Sequence, residues 1–109
     1  MLIFINQFFN PTFMKVLKFG ALWCPLCPIM KPRWAEIEEA RPWLKNEMYD
    51  FDQNADVAKK WGVDKDAQDK TKGLPTFIFL DKECKEFMRL HGERSIDELS
   101  KIVDENKDR

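Results

Sequence analysis

Soft metal ligands and excess charge are both scarce in this sequence. It holds one histidine, His91, and three cysteines, Cys24, Cys27 and Cys84. An odd cysteine count with two of them three apart is not the framework of a disulfide-stapled secreted scaffold. The 18 basic and 19 acidic residues nearly cancel and are interleaved, so no cluster could neutralise a run of phosphates. That argues against nucleic acid and against a membrane as partner. A long hydrophobic run is also missing. The apolar opening from Met1 to Phe13 is too short to span a bilayer and is broken by Asn6, Gln7 and Asn10, with no Lys or Arg before Lys15. It makes a poor signal sequence, and a cytoplasmic location is expected. There is no internal repeat, heptad array or low-complexity tract.

What is present suits one packed domain. A chain of 109 residues with 44% hydrophobic and 13% aromatic content can bury an ordered core but has little room for a second one. The expected division is an N-terminal apolar extension, 1–13, and a single monomeric domain, 14–109.

Periodicity places the elements. Met14 to Phe19 reads as a strand, and Gly20-Ala-Leu-Trp-Cys-Pro25 breaks it before a helix. The expected helix has Cys24 at its N-cap and Pro25 at the first helical position, bends at Pro32 and stops at Arg41-Pro42. Met30, Trp34 and Ile37 give it an apolar stripe. Glu47 to Asp52 reads as a second strand, and Asn54 caps a short helix closed by Gly62. The polar stretch from Asp64 to Lys72 has nothing to bury and is expected to be a surface loop. Thr76 to Leu80 is a continuous apolar run, the mark of a strand covered on both faces. Asp81-Lys-Glu turns the chain into a paired strand from Cys84 to Leu90, and Ser95-Ile-Asp-Glu98 is a capping box opening the last helix. The sum is β-α-β-α-β-β-α, an α/β domain with helices on both faces of a mixed four-stranded sheet, or five-stranded if the N-terminal extension adds an edge.

Cys24-Pro-Leu-Cys27 carries the strongest chemical signal. Two residues between thiols at a helix start let the sulfurs open and close a small disulfide reversibly. Helix N–H groups there stabilise a thiolate, which lowers a cysteine pKa from about 8.5 toward roughly 7 or below. Cys24 would attack and Cys27 resolve. The same spacing also forms half of many zinc sites. Cys84 and His91 could complete a set of three thiolates and one imidazole, but Cys84 sits at a hairpin turn far from the helix start. His91, directly before Gly92 at a strand end, reads as a surface residue outside the site.

In context the sequence resembles the thioredoxin family. Phe19-Gly-Ala-Leu-Trp-Cys-Pro-Leu-Cys27 follows a strand, Pro32 lies in the next helix, Phe51-Asp-Gln-Asn54 follows a second strand, and Gly73-Leu-Pro-Thr76 opens a third. The resemblance implies a thioredoxin-like fold and a thiol–disulfide oxidoreductase that reduces protein disulfides through a mixed disulfide. It also implies a cis Pro75, with Leu74 offering its backbone to an extended substrate. Trp23, Pro25, Leu26 and Gly92 would complete an apolar docking rim. The implied partners are disulfide-containing proteins and a thioredoxin-reductase-like or glutathione-type reductant. The transfer itself needs no metal or organic cofactor.

Three departures from the family pattern stand out. Only residues 1–13 precede the first strand, so the architecture approaches the minimal core shared with glutaredoxins. Lys18 occupies the place of the family's buried acid, and Met48 that of its usual partner lysine. A pairing of Lys18 with Asp50 that lowers the Cys24 pKa is expected on this basis. Nine residues also separate Val63 from Gly73 where the family often has one. Two rival functions use the same residues: a non-catalytic docking module on this fold, and a metal-binding protein built on the cysteine pair.

Overall fold

The computed structural model describes residues 13–68 and 72–109. Most of the expected 1–13 extension, and positions 69–71 of the expected loop, lie outside the described residues. Phe13 packs edge-on against Trp43 at 5.6 Å, and the Met14 N–H donates to the Lys107 carbonyl at 3.0 Å, joining the domain's start to its last helix.

The elements are β1 (Lys15–Gly20), α1 (Cys27–Glu39), β2 (Lys45–Asp50), α2 (Ala55–Lys60), α3 (Val63–Gln68), β3 (Thr76–Leu80), β4 (Glu86–His91) and α4 (Ile96–Glu105). They form one mixed sheet in the order β2-β1-β3-β4. β1 runs parallel to β2, with Lys18 opposite Met48 and Gly20 opposite Asp50. It runs antiparallel to β3, with Phe19 opposite Thr76.

Alternation along the two central strands sorts the core into two layers. Val16, Phe77 and Phe79 face α1 and α4, where Met30, Trp34, Ile37, Leu99 and Val103 are all buried. Leu17, Phe19, Ile78 and Leu80 face α2 and α3, against Ala58 and Val63. Lys18 belongs by alternation to the α1 side. Both faces are therefore covered, as the apolar run of β3 requires.

Several expectations are corrected, among them the second strand, which runs Lys45–Asp50 rather than Glu47 to Asp52. α1 begins at Cys27 with Leu26 as its N-cap, so Cys24 is not the cap. The Cys24 N–H donates to the Ala21 carbonyl at 3.1 Å, which turns the chain one step before the helix, and Pro28 rather than Pro25 takes the early helical position. As expected, α1 runs on through Pro32, and it stops at Glu39 with Ala40 as C-cap, just ahead of Arg41-Pro42. The stretch expected to be a loop begins with the helix α3, whose first residue, Val63, is fully buried. β4 starts at Glu86. Cys84 lies in the preceding turn with φ +63°, a conformation no regular strand residue adopts. The Ser95 cap forms, with Oγ accepting from the Glu98 N–H at 3.1 Å. The Glu98 carboxylate turns instead to Arg94 at 3.0 Å.

Candidate active site

β1 ends at Gly20, and the chain leaves it through an Ala21–Cys24 turn that delivers Cys24 and Cys27 to the start of α1. Their sulfurs are joined as a disulfide, with Cα atoms 5.5 Å apart. Cys24 is 2% exposed, whereas Cys27 is partly open. Gly20 lets the strand pass close to the disulfide. A Cβ at that position would lie 3.2 Å from Cys27 Sγ and 3.4 Å from Met48 Cε, tight enough that a side chain there would push on the Cys27 sulfur by a few tenths of an ångström.

The Leu74–Pro75 bond is cis and leads straight into β3. Pro75 is buried and Leu74 half-buried. The Pro75 carbonyl accepts from the Gly92 N–H at 2.9 Å, and Gly92 itself has φ +81°. Pro75 and Cys27 line one cavity of about 260 Å³, together with Lys18, Gly20, Trp34 and Glu38. Trp34 is 2% exposed, and among the described residues its Nε1 has no hydrogen-bond partner.

Of the six expected docking residues, Trp23 and Pro25 are exposed, Leu26, Leu74 and Gly92 are partly so, and Pro75 is buried. Trp23 is held rather than loose. Its Nε1 donates to Asp52 Oδ2 at 2.8 Å, and its ring meets Phe51 edge-on at 6.2 Å. Leu22 and Met48 add exposed apolar surface beside Cys27, and Ile29 is exposed in the first turn of α1; sequence reasoning did not include them. Asp52 was likewise missed as a site residue, although it lies in the Phe51-Asp-Gln-Asn54 segment that follows β2.

The expected Lys18–Asp50 pair does not form. Lys18 Nζ instead donates to Glu38 Oε2 at 2.6 Å and lies 5.3 Å from the centre of the Trp34 ring. The register explains the exchange. Asp50 stands opposite Gly20, two residues along from the Lys18 rung, and its Oδ1 is taken by the N–H groups of Asp52 and Gln53, both at 3.0 Å. Lys18 points to the α1 face, where Glu38 is the carboxylate within reach.

His91 is not the surface residue it was expected to be. It is half-buried, with Nδ1 3.0 Å from Thr76 Oγ1 and Nε2 3.5 Å from Asp66 Oδ2. Among the described residues no group of three or more His, Cys, Asp or Glu side chains is arranged to hold a metal, and Cys84 is a free, exposed thiol in the β3–β4 turn.

Comparison with known proteins agrees with this geometry. The sequence model of the family described as Thioredoxin matches residues 4–105. A thioredoxin-like protein CXXS1 from Oryza sativa subsp. japonica is 31% identical over 102 residues, covering 94% of this chain and 69% of its own length. A thioredoxin H-type from Picea mariana is 30% identical, and the match covers 78% of this chain but only 61% of that relative. Among solved structures, the Nicotiana alata thioredoxin NaTrxh superposes with a TM-score of 0.76 at 26% identity, over 97% of this chain and 84% of that one. Fasciola hepatica thioredoxin gives 0.74 at 26% identity, over 97% and 91%. The chain belongs to the thioredoxin family of thiol–disulfide oxidoreductases, and Cys24–Cys27 is its disulfide-forming pair.

Proposed function

We propose that this protein reduces disulfides in other proteins, with Cys24 as nucleophile and Cys27 as resolving thiol. The observation that carries the reading is the Cys24–Cys27 disulfide at the head of α1, with exposed Leu22 and Trp23 directly before it and Pro75 lining one cavity with Cys27. In the dithiol form the Cys24 thiolate attacks one sulfur of a substrate disulfide. The substrate S–S bond breaks, one substrate sulfur leaves as thiolate and takes a proton, and a mixed disulfide remains. Cys27 then gives up its proton and attacks Cys24 Sγ, forming the intramolecular disulfide and releasing the second substrate thiol. Two electrons pass to the substrate for each dithiol oxidised. A thioredoxin-reductase-like or glutathione-type system in a reducing cytoplasm returns the pair to the dithiol.

An extended substrate would lie along Leu74 with its disulfide over the cysteine pair, and Trp23, Pro25, Leu26 and Gly92 would form the rim. Trp23 is already fixed by Asp52, so the rim loses little side-chain freedom on binding. The test is trapping. With Cys27→Ser, incubation with insulin should accumulate a stable mixed disulfide through Cys24. With Cys24→Ser, neither adduct nor turnover should appear. Adducts that form through Cys27 in Cys24→Ser would invert the two roles. Turnover that survives both substitutions would remove the pair from the chemistry.

A further inference from the structure

Helix α3, which follows Gly62, is tied to β4 and to Gly73. It carries Asp66, whose Oδ2 accepts from Arg89 Nη1 at 2.8 Å and lies 3.5 Å from His91 Nε2. The Asp66 peptide carbonyl accepts from the Gly73 N–H at 3.0 Å. Arg89 is fixed from two other directions, by Glu86 at 2.8 and 2.7 Å and by the Trp61 carbonyl at 2.7 Å. The opposite edge of the imidazole reaches the same target: His91 Nδ1 is 3.3 Å from the Gly73 carbonyl, which Thr76 Oγ1 also bonds at 2.9 Å. Both peptide groups of Gly73 are thus engaged. With Pro75 tied to Gly92 at 2.9 Å, Leu74 is held between two fixed neighbours. Gly73 has φ +75°, a conformation that other residues hold only at a cost, and these contacts maintain it.

We propose that Asp66 and His91 are positioning residues that brace the Gly73–Pro75 segment for polypeptide substrates, making α3 a specificity element that favours extended protein disulfides over small ones. The inference rests on the reading of Leu74 as the docking strand. A protein substrate pairs with that backbone and gains affinity when it is already held in shape. A small disulfide meets only the sulfurs and gains nothing from the brace. Asp66 and His91 touch no reacting atom. Their removal alters how well a polypeptide is held and leaves the cysteine chemistry in place.

The experiment compares insulin with 5,5′-dithiobis(2-nitrobenzoate) as disulfide substrates for the full chain. Asp66→Asn, which takes the charge from the bond to Arg89 and from the contact with His91, should raise KM for insulin by about three- to tenfold, with kcat unchanged. The rate constant for the small disulfide and the reduction potential of Cys24–Cys27 should also stay unchanged. His91→Leu keeps the Asp66–Arg89 pair, removes the ring's contact with Gly73, and should show the same split. Equal losses on both substrates, or no change in KM for insulin in either variant, would overturn the brace while leaving the disulfide-reductase reading intact. A wild-type chain that reduces the small disulfide but not insulin would overturn the docking reading on which the brace depends.

Discussion

Lys18 is an ammonium on a strand whose neighbours from Val16 to Ala21 are otherwise apolar or glycine and buried, and Glu38 is what makes it tolerable. The side chains are 11% and 25% exposed, between the surface and fully buried regimes. Lys18→Met leaves the Glu38 carboxylate beside an apolar cavity without its cation, and should cost about 1–3 kcal/mol. Lys18→Met with Glu38→Leu should recover most of that loss, because it removes both charges together. Urea unfolding of the two variants at neutral pH checks this, and additive losses would contradict it. Cys24, Cys27 and the Gly73-Leu74-Pro75 segment are local patterns, readable because their chemistry depends on residues adjacent in sequence. Glu38, Asp52 and Asp66 meet their partners across 20, 29 and 23 residues of chain. Each is one acid among 19, and only the folded register selects it.

Among the elements, the strands and α4 were readable because their apolar spacing matches the way they are buried. Phe77 and Phe79 serve one layer, Ile78 and Leu80 the other, and Leu99 and Val103 turn inward from α4. α3 was not readable, because after Val63 it buries little and is anchored by polar bonds to β4 instead. Helix limits near Cys24 shifted for a related reason: the turn bonding Cys24 to Ala21 competes locally with helix nucleation. The far end of α1 is tied to α4 by Arg41, whose guanidinium gives Asp104 a two-pronged contact at 2.7 and 2.7 Å. That hydrogen bonding holds the Asp104 carboxyl below its usual range. A depressed folded-state value stabilises the fold above the unfolded value, near pH 4, and the gain is lost as pH falls through the folded value. Asp104→Asn should therefore flatten part of the acid limb of stability against pH. The effect should stay under about 1 kcal/mol and shrink in high salt, because the Asp104 side chain is 55% exposed. Thermal unfolding from neutral to acid pH, with and without salt, reads it directly, and an unchanged acid limb would remove the pair from the account.

At the scale of the whole molecule, net charge of −1 and interleaved surface charge leave the apolar rim around the disulfide as the distinctive surface feature. Two helical layers hold the sheet rigid, so that β1 and β3 bring Gly20 and Pro75 to the same end of the domain as the cysteine pair. A fixed scaffold with a reversible bond at its edge is what disulfide exchange needs, since the same groups must serve both oxidised and reduced forms. The proposed reduction of other proteins requires that Cys24 and Cys27 cycle between dithiol and disulfide at a sufficiently low potential. Its most direct test is the equilibrium reduction potential of the pair, read from the thiol–disulfide ratio of the intact chain across a dithiothreitol series. One reversible two-electron transition near the thioredoxin range, about −270 mV, is expected. A pair that forms no reversible disulfide across the series, or one poised near −120 mV as a strong oxidant, would contradict the proposal.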